Sequence, residues 1–229
     1  GRDTEKLSNR LIRKIGVAPV VYQPSQVEAS IENIKRHLEY MGYYNSDVQS
    51  DVKVDRRNVD VTYTVTLGKR YKIDKIRFSV PEGEFSEDFY ADTVNLSVKP
   101  GDYLSESALE SETERSAAWM RHNGWFGFTK NYYTFEADTL ERNDTAGLLM
   151  MIKEYTRNQS PDNARPFRKY SFGDVQLSWD KDLVFNRRVL RNMNTITPGK
   201  LYDELEVNTT YSRLSALKLF SGVNIAMNP

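Results

Sequence analysis

Apolar residues recur along the chain with two different periods. Four of them share the spacing i, i+4, i+7 and i+11 of one helical face: Val27, Ile31, Ile34 and Leu38. Five others alternate with polar residues further on: Val59, Val61, Tyr63, Val65 and Leu67. Alternation is typical of a strand with one buried face. The pattern therefore predicts a helix that ends at Gly42, followed by a hairpin with strands over 47–54 and 59–67.

The same order of elements is predicted twice more. The middle of the chain gives a strand over 72–80, a helix that opens at Ser86, a helix over 105–123 capped by Ser105, and hairpin strands near 126–137 and 147–155. The last part gives a strand over 170–179, helices over 183–193 and 203–221, and a strand over 223–227. An additional helix is predicted over 4–15, ending at Gly16.

Short motifs repeat at a nearly constant offset. Tyr71 to Phe78 resembles Tyr170 to Leu177, because Ile73, Ile76 and Phe78 match Phe172, Val175 and Leu177 at an offset of 99. Pro100-Gly101 matches Pro198-Gly199 at an offset of 98, and Gly124 and Gly222 each follow 23 residues after the glycine of that turn. Recurrence of this kind indicates tandem copies of one supersecondary unit.

The fold class predicted is α+β, built from β-α-α-β-β units with a three-stranded mixed sheet and two helices on one face. Four segments are expected: 1–70, a unit without its first strand; 71–156, a complete unit; 157–166, a polar linker; and 167–229, a unit truncated before its last strand. Because the linker carries Pro161 and Pro166, we expect a hinge or mobile loop there.

Composition removes several classes of function. The 229 residues include no cysteine and two histidines, and 32 basic side chains balance 32 acidic ones. Disulfide, zinc-thiolate and cysteine-nucleophile chemistry are therefore excluded, and no net charge favours nucleic acid. His37 and His122 lie near predicted helix C-termini, where a surface or capping role is expected. Without a serine-nucleophile or phosphate-loop motif, the prediction is no enzyme, no metal, no cofactor and no small-molecule substrate.

The order β-α-α-β-β, together with the join Gly68-Lys69-Arg70-Tyr71-Lys72-Ile73, resembles the POTRA domains of the BamA/TamA superfamily of outer-membrane assembly factors. Gly68 and Tyr71 mark the inter-domain join in this resemblance. Ile15 to Tyr22, followed by Met41-Gly42-Tyr43-Tyr44, is similar to the TamA-like lipoproteins of Bacteroidetes. The resemblance implies a location on the periplasmic face of a Gram-negative outer membrane, next to a β-barrel that this sequence does not contain.

The resemblance implies that the units bind unfolded outer-membrane protein precursors, or a lipoprotein or inner-membrane-anchored partner. The bound segment would add a strand to an exposed sheet edge. The candidate edges are 46–52, 128–135 and 223–227. In the second edge the candidate residues are Phe128, Lys130, Tyr132, Tyr133 and Phe135, with the inward-facing aromatic side chains expected to belong to the core. The alternative is a structural docking module of a two-partner secretion or cell-division protein with one fixed partner. Three tandem units argue against the division proteins, which carry one.

Overall fold

The computed structural model describes residues 22–56, 58–140, 144–156, 164–179 and 186–228. The chain divides into two compact units, Gly1–Lys69 and Arg70–Pro229. The helix predicted over 4–15 and its terminal Gly16 lie outside the described residues.

The first unit contains one described helix and one hairpin. Helix α1, Pro24–Tyr40, begins with proline at its first position, where the missing N–H is not needed. Gly42 follows with φ of 87°, a left-handed conformation that favours glycine at a helix end. Strands β1, Asp47–Asp55, and β2, Asn58–Thr66, pair antiparallel, and α1 contacts β1. The helix and hairpin predicted from periodicity are confirmed.

The middle repeat forms a complete β-α-α-β-β unit. Its elements are β3, Lys72–Ser79; α2, Glu84–Asp92; α3, Glu106–His122; β4, Tyr133–Leu140; and β5, Thr145–Ile152. The strand order is β3-β5-β4, with β5 parallel to β3 and antiparallel to β4. The predicted mixed three-stranded sheet is therefore confirmed, and β5 is its central strand.

Both helices of the middle repeat cover one face of this sheet. Along β5 the inward side chains are buried and alternate with half-buried ones on the other face: Ala146, Leu148, Met150 and Ile152 point inward. Aromatic rings from α2 and from the loop after α3 complete the core: Phe85, Phe89, Trp125 and Phe128. The alternation in the sequence thus corresponds to the two faces of the sheet.

The two helix starts of the middle repeat differ from each other. Ser105 caps α3 as predicted, because its hydroxyl accepts a hydrogen bond from the Ala108 N–H at 3.3 Å. The prediction that α2 opens at Ser86 was wrong. Gly83 takes the capping position with φ of 114°, and the Ser86 hydroxyl donates to its carbonyl at 2.7 Å from inside the first turn.

The prediction of a strand over 126–137 was also wrong in its position. Strand β4 begins at Tyr133, because the preceding residues turn: Gly127 has φ of 76°, and Lys130–Tyr132 forms one turn of 3-10 helix. Several aromatic residues that pattern reasoning assigned to a strand therefore lie in a loop against the core.

The third repeat has the two predicted helices, α4, Arg187–Met193, and α5, Glu204–Ala216. Helix α5 ends before the predicted residue 221. Lys218, with φ of 52°, takes the left-handed position after the helix that Gly124 takes after α3. The match between Gly124 and Gly222 is therefore not a structural equivalence, although lysine is an unfavourable residue at such a φ.

The strands predicted over 170–179 and 223–227 form no β-ladder within the described residues, apart from the single bridge between Ser171 and Leu201. In the middle repeat, both β3 and β4 form their ladders with β5. The described part of the third repeat contains no strand in the position that β5 has in the middle repeat.

The Pro-Gly turns of the two repeats are equivalent in hydrogen bonding. Two backbone bonds close each turn, with N···O distances of 2.8 and 2.7 Å: Ile73 N–H to Asp102 O and Gly101 N–H to Ile73 O, then Phe172 N–H to Lys200 O and Gly199 N–H to Phe172 O. The donors and acceptors are related by the offsets of 98 and 99 seen in the sequence. The structural repeat is thereby confirmed at this turn.

Strand β6, Tyr155–Thr156, pairs antiparallel with β7, Ala164–Arg165. The predicted hinge or mobile loop between them falls on residues 157–163, outside the described residues, and stays a prediction.

Candidate functional site

The candidate site is the outer edge of β4. In the order β3-β5-β4 this strand has β5 on one side, and on its other side no strand of the described part of the chain pairs with it. An edge of this kind presents backbone N–H and C=O groups in a row. The structure therefore supports an edge in the region where the sequence predicted one, although its extent is Tyr133–Leu140.

The ladder fixes which residues of β4 present their backbone groups outward. The Lys153 N–H donates to the Tyr132 carbonyl at 3.1 Å, and Tyr133 faces Ile152 in the same register. Antiparallel ladders alternate hydrogen-bonded and non-bonded pairs. The backbone N–H and C=O groups of the even-numbered residues of β4 therefore point toward β5. The outward backbone groups then belong to the odd-numbered residues: Tyr133, Phe135, Ala137 and Thr139.

Side chains of the same odd-numbered residues hold the edge to the core. Tyr133 is buried, and its hydroxyl donates to the Ser116 hydroxyl on α3 at 2.8 Å. Burial raises the pKa of this phenol above its ordinary value. Phe135 packs against the aromatic core. The edge thus presents backbone groups for binding, while the side chains of Tyr133 and Phe135 pack in the core.

The other face of β4 is polar. Thr134, Glu136 and Asp138 are exposed there. In the register of the sheet, Glu136 lies beside Leu149 of β5, and Leu149 lies beside Arg77 of β3. Any strand added to β4 would place alternate side chains next to Glu136 and Asp138.

Phe128 is a core residue rather than an edge residue. It is 2% exposed, and its ring contacts Phe85, Tyr132 and Tyr133 at centroid distances of 5.2, 5.3 and 5.8 Å. Its carbonyl accepts a hydrogen bond from Arg121 at 3.0 Å. The prediction that it belongs to the edge strand was wrong, because the strand begins five residues later.

Lys130 and Tyr132 also lie before β4, in the 3-10 turn. The Lys130 ammonium nitrogen is 2.6 Å from carboxylate oxygens of both Glu110 and Glu114 on α3. These hydrogen bonds raise its pKa. Tyr132 is half-buried, with its ring 5.0 Å from that of Phe167. Of the five predicted residues, only Tyr133 and Phe135 lie on the edge strand.

Sequence reasoning missed Glu136, Ala137 and Thr139. Aromatic residues drew the prediction toward 128–133, whereas alternation of Tyr133, Phe135 and Ala137 with polar neighbours was the better signal for the strand. The even-numbered polar residues would have identified the solvent face directly.

The two residues of the predicted join have clear local roles. Gly68 donates its N–H to the Ser46 hydroxyl at 3.0 Å, and an added Cβ would lie 1.9 Å from the Tyr44 carbonyl oxygen. Only glycine fits so close a backbone approach. In the second unit, Tyr71 is buried, and its carbonyl accepts from the Leu104 N–H at 2.8 Å.

Within the second unit, the middle and third repeats contact each other around Gly124. Its carbonyl accepts from the Tyr170 N–H at 2.9 Å, and a Cβ at this position would approach Leu201 to 2.7 Å. Phe167 stacks on Phe85 with a centroid distance of 4.6 Å. Aromatic packing and a backbone hydrogen bond therefore join the two repeats.

Charged side chains surround this inter-repeat joint. Lys169 reaches Glu84 and Asp88 of α2 at 2.8 Å each, and Arg121 reaches Glu204 of α5 at 2.7 Å. Burial lowers the pKa of Lys169, but the hydrogen bonds to Asp88 and Glu84 outweigh it, so the net pKa is raised.

His122 lies in the last turn of α3, and its Nδ1 is 2.7 Å from an oxygen of Asp203, the N-cap of α5. His37 is exposed in the last turn of α1 and stacks on Tyr40 at 6.4 Å. Among the described residues no group of three or more His, Cys, Asp or Glu side chains is arranged to hold a metal ion. No described helix has the length and apolar character needed to cross a membrane.

Known proteins resemble this chain in sequence and in structure. Residues 3–68 match the family model described as POTRA, surface antigen variable number repeat. No curated protein matches the chain. A crystal structure of POTRA domains 3–5 of BamA from Haemophilus influenzae is similar, with 18% identity and a TM-score of 0.53, covering 99% of this chain and 86% of that one. POTRA domains 1–2 of the periplasmic domain of Omp85 from Anabaena are similar with 10% identity and a TM-score of 0.34, covering 65% and 78%.

These findings identify the fold. The N-terminal segment matches the POTRA family in sequence, and the chain has the fold of POTRA domains. The predicted α+β architecture of POTRA-like units is confirmed.

Proposed function

We propose that this protein is a periplasmic polypeptide-binding scaffold of the BamA/TamA superfamily, and that it takes up an extended segment on the outer edge of β4. The observation that carries the proposal is the free edge itself. Four residues of one strand present their backbone groups outward while Tyr133 and Phe135 remain fixed to the core. Such an edge binds by β-augmentation, in which main-chain hydrogen bonds supply the affinity.

Backbone recognition suits partners that share strand character rather than sequence. Unfolded outer-membrane protein precursors are the partners we propose, with a lipoprotein or an inner-membrane-anchored protein as further partners of the same edge. We further propose that the protein lies on the periplasmic face of a Gram-negative outer membrane. A β-barrel outside this sequence would then assemble the bound precursors. The TamA-like subtype and an origin in Bacteroidetes are also part of it, on the resemblance of residues 15–22 and 41–44.

The charges beside the edge add a preference to this sequence-tolerant binding. An incoming strand in register with β4 would set alternate side chains beside Glu136 and Asp138, both exposed. Opposite charges across a strand pair contribute roughly 0.2–1 kcal/mol. Segments with lysine or arginine at those positions should therefore bind more tightly than segments with acidic residues.

Proline substitution at Ala137 tests the proposal. Its N–H points outward, so Ala137→Pro removes one donor from the edge without removing a bond between β4 and β5, and proline is tolerated on edge strands. A backbone hydrogen bond contributes about 0.5–1.5 kcal/mol, so binding of a fluorescent peptide of alternating valine and lysine should weaken by about two- to tenfold. Fluorescence anisotropy measures this change.

Ala137→Val is the matched control, because it changes the same side chain and keeps the N–H. Equal peptide affinity for the proline and valine variants, with urea unfolding showing both folded, would contradict binding at this edge. A saturable complex with one folded protein, combined with no affinity for unfolded barrel precursors, would favour the alternative of a docking module with one fixed partner.

A further inference from the structure

Strand β3 forms the second edge of the sheet in the middle repeat. In the order β3-β5-β4 it has β5 on one side. On its other side, the Pro-Gly turn bonds to the backbone of Ile73, and a single bridge joins Lys72 to Tyr103. No strand of the described residues continues this pairing, so the second half of β3 has no neighbouring strand on its outer side.

The register of the sheet determines which residues of β3 turn their backbone groups to this outer side. In the ladder with β5, Arg77 lies opposite Leu149. The Leu149 backbone groups point to β4, so the groups on either side of Leu149 point to β3 and bond to Arg77. The N–H and C=O groups of Ile76 and Phe78 therefore point outward, as those of Ile73 do toward the turn.

Apolar side chains adjoin this edge on the side of the helices. Ile76 and Phe78 are half-buried, whereas their partners on β5 are buried. The ring of Phe78 lies 6.3 Å from that of Tyr90 on α2, and Tyr90 is 49% exposed. Val94 follows four positions later, on the same side of the helix, and is 82% exposed. The outer edge of β3 thus adjoins an exposed apolar surface.

The other side of the same edge is basic. Lys75 and Arg77 are exposed on the face of the sheet that carries no helix. In the register of the sheet, each lies in a row that ends at an acidic residue of β4, Lys75 with Asp138 and Arg77 with Glu136. The acidic residue of β3, Asp74, lies in the bulge before this stretch. The two edges of one sheet therefore carry opposite charges on this face.

We propose that the outer edge of β3 binds an extended segment of a partner protein in which acidic residues alternate with apolar ones. The backbone of the segment bonds to Ile76 and Phe78. Its acidic side chains lie beside Lys75 and Arg77, and its apolar side chains pack toward Tyr90. This edge is independent of the β4 edge, because β5 separates the two strands. The middle repeat can therefore hold two segments of opposite charge, one at each edge of its sheet.

The charge of the segment follows from the side chains beside the edge. Charged residues on an edge strand, lysine above all, discourage pairing with another strand. An acidic segment turns this repulsion into attraction, because opposite charges directly across a strand pair are favourable and like charges are unfavourable. Lys75 and Arg77 thus select among segments that would otherwise bind through backbone groups alone.

The test uses the complete 229-residue chain and two fluorescent peptides, one of alternating valine and glutamate and one of alternating valine and lysine. At ten times the dissociation constant of the valine–glutamate peptide, hydrogen exchange measured by NMR should slow by about tenfold at the N–H groups of Ile76 and Phe78. The valine–lysine peptide should leave both groups unprotected. Protection of these groups by the valine–lysine peptide alone, or by neither peptide, would overturn the proposal.

Arg77→Glu reverses one charge beside the edge and should weaken binding of the valine–glutamate peptide by about two- to thirtyfold. Arg188→Glu is the matched control, since it makes the same change in net charge at an exposed position of α4. Ile76→Pro removes one outward donor and should weaken binding by about two- to tenfold relative to Ile76→Ala, which keeps the N–H.

Urea unfolding checks that the variant chains are folded. Equal peptide affinity for the Arg77→Glu and Arg188→Glu chains would overturn the proposal, and this comparison holds even where the proline variant does not fold. Equal affinity for folded Ile76→Pro and Ile76→Ala chains would overturn it as well.

Discussion

The middle and third repeats fasten the same loop to the same helical position with different chemistry. In the middle repeat the Ser97 N–H donates to a carboxylate oxygen of Glu112 on α3 at 2.8 Å. In the third repeat the Thr195 N–H donates to the Thr210 hydroxyl on α5 at 2.9 Å. Both pairs are related by the repeat offset of 98. The loop thus makes the same backbone hydrogen bond in both repeats. The acceptor is a carboxylate in the middle repeat and a hydroxyl in the third.

The contact to Glu112 in the middle repeat depends on a third residue, Arg115. Glu112 and Asp92 are nearly fully buried, and Arg115 binds both, at 2.6 and 2.8 Å. Hydrogen bonds to Glu112 and then to Asp92 raise the pKa of Arg115. Buried charges are tolerated when paired and hydrogen-bonded, and become strongly destabilising when a partner is removed. Equivalent backbone positions in the two repeats can therefore differ greatly in how much a single substitution destabilises the fold.

The largest expected effect is therefore that of Arg115→Met. This change leaves two buried carboxylates without their countercharge and should lower the free energy of unfolding by about 3–5 kcal/mol. Thr210→Val, the corresponding disruption in the third repeat, leaves one N–H unpaired and should cost about 1–3 kcal/mol. Urea unfolding followed by circular dichroism measures both. Equal losses in the two variants would show that the ionic cluster has no special role.

An intermediate effect is expected for Gly124→Ala, which concerns the joint between the two repeats. Gly124 and Gly101 both have φ of 96°, so alanine is strained equally at either position, by about 1–3 kcal/mol. Only at Gly124 would the new Cβ meet a neighbouring side chain, Leu201 at 2.7 Å. Gly124→Ala should therefore destabilise the chain by about 1 kcal/mol more than Gly101→Ala in thermal unfolding. A difference of zero would mean that Leu201 moves aside freely.

The smallest expected effect is that of Tyr133→Phe, which removes the hydrogen bond to Ser116 and should cost about 1 kcal/mol near neutral pH. Since burial raises the pKa of Tyr133 in the folded state, its contribution is complete below the unfolded value of about 10 and is lost as pH rises above it. The phenylalanine variant should consequently lose less stability than the native chain as the pH rises from about 10 to about 12. Parallel losses in that range would contradict the burial argument.

Elements with strong periodicity could be predicted from the sequence alone. The α1 stripe, the β1–β2 alternation and the Ser105 cap are local patterns, and the structure contains each of them. The Pro-Gly repeat is also present in the structure, since the hydrogen bonds of the two turns recur at the same offsets.

Predictions from the sequence were wrong where tertiary contacts override the local pattern of apolar and polar residues. Phe128 and Tyr132 look like strand residues in sequence, but ring packing against Phe85 and Phe167 holds them in a loop. The predicted equivalence of Gly124 and Gly222 was wrong, because Lys218 takes the left-handed conformation after α5. Glycine is the residue usually found at that position. The clustering of Asp92 with Glu112 and Arg115 depends on how α2 and α3 pack, so spacing along one helix could not reveal it.

The ring of Tyr132 links the third repeat to the start of β4. It forms a cluster of three mutually contacting rings with Phe128 and Phe167, immediately before the first residue of β4. Replacing Phe167 by alanine would therefore remove apolar contacts from both repeats at once, next to the residue where the edge strand begins.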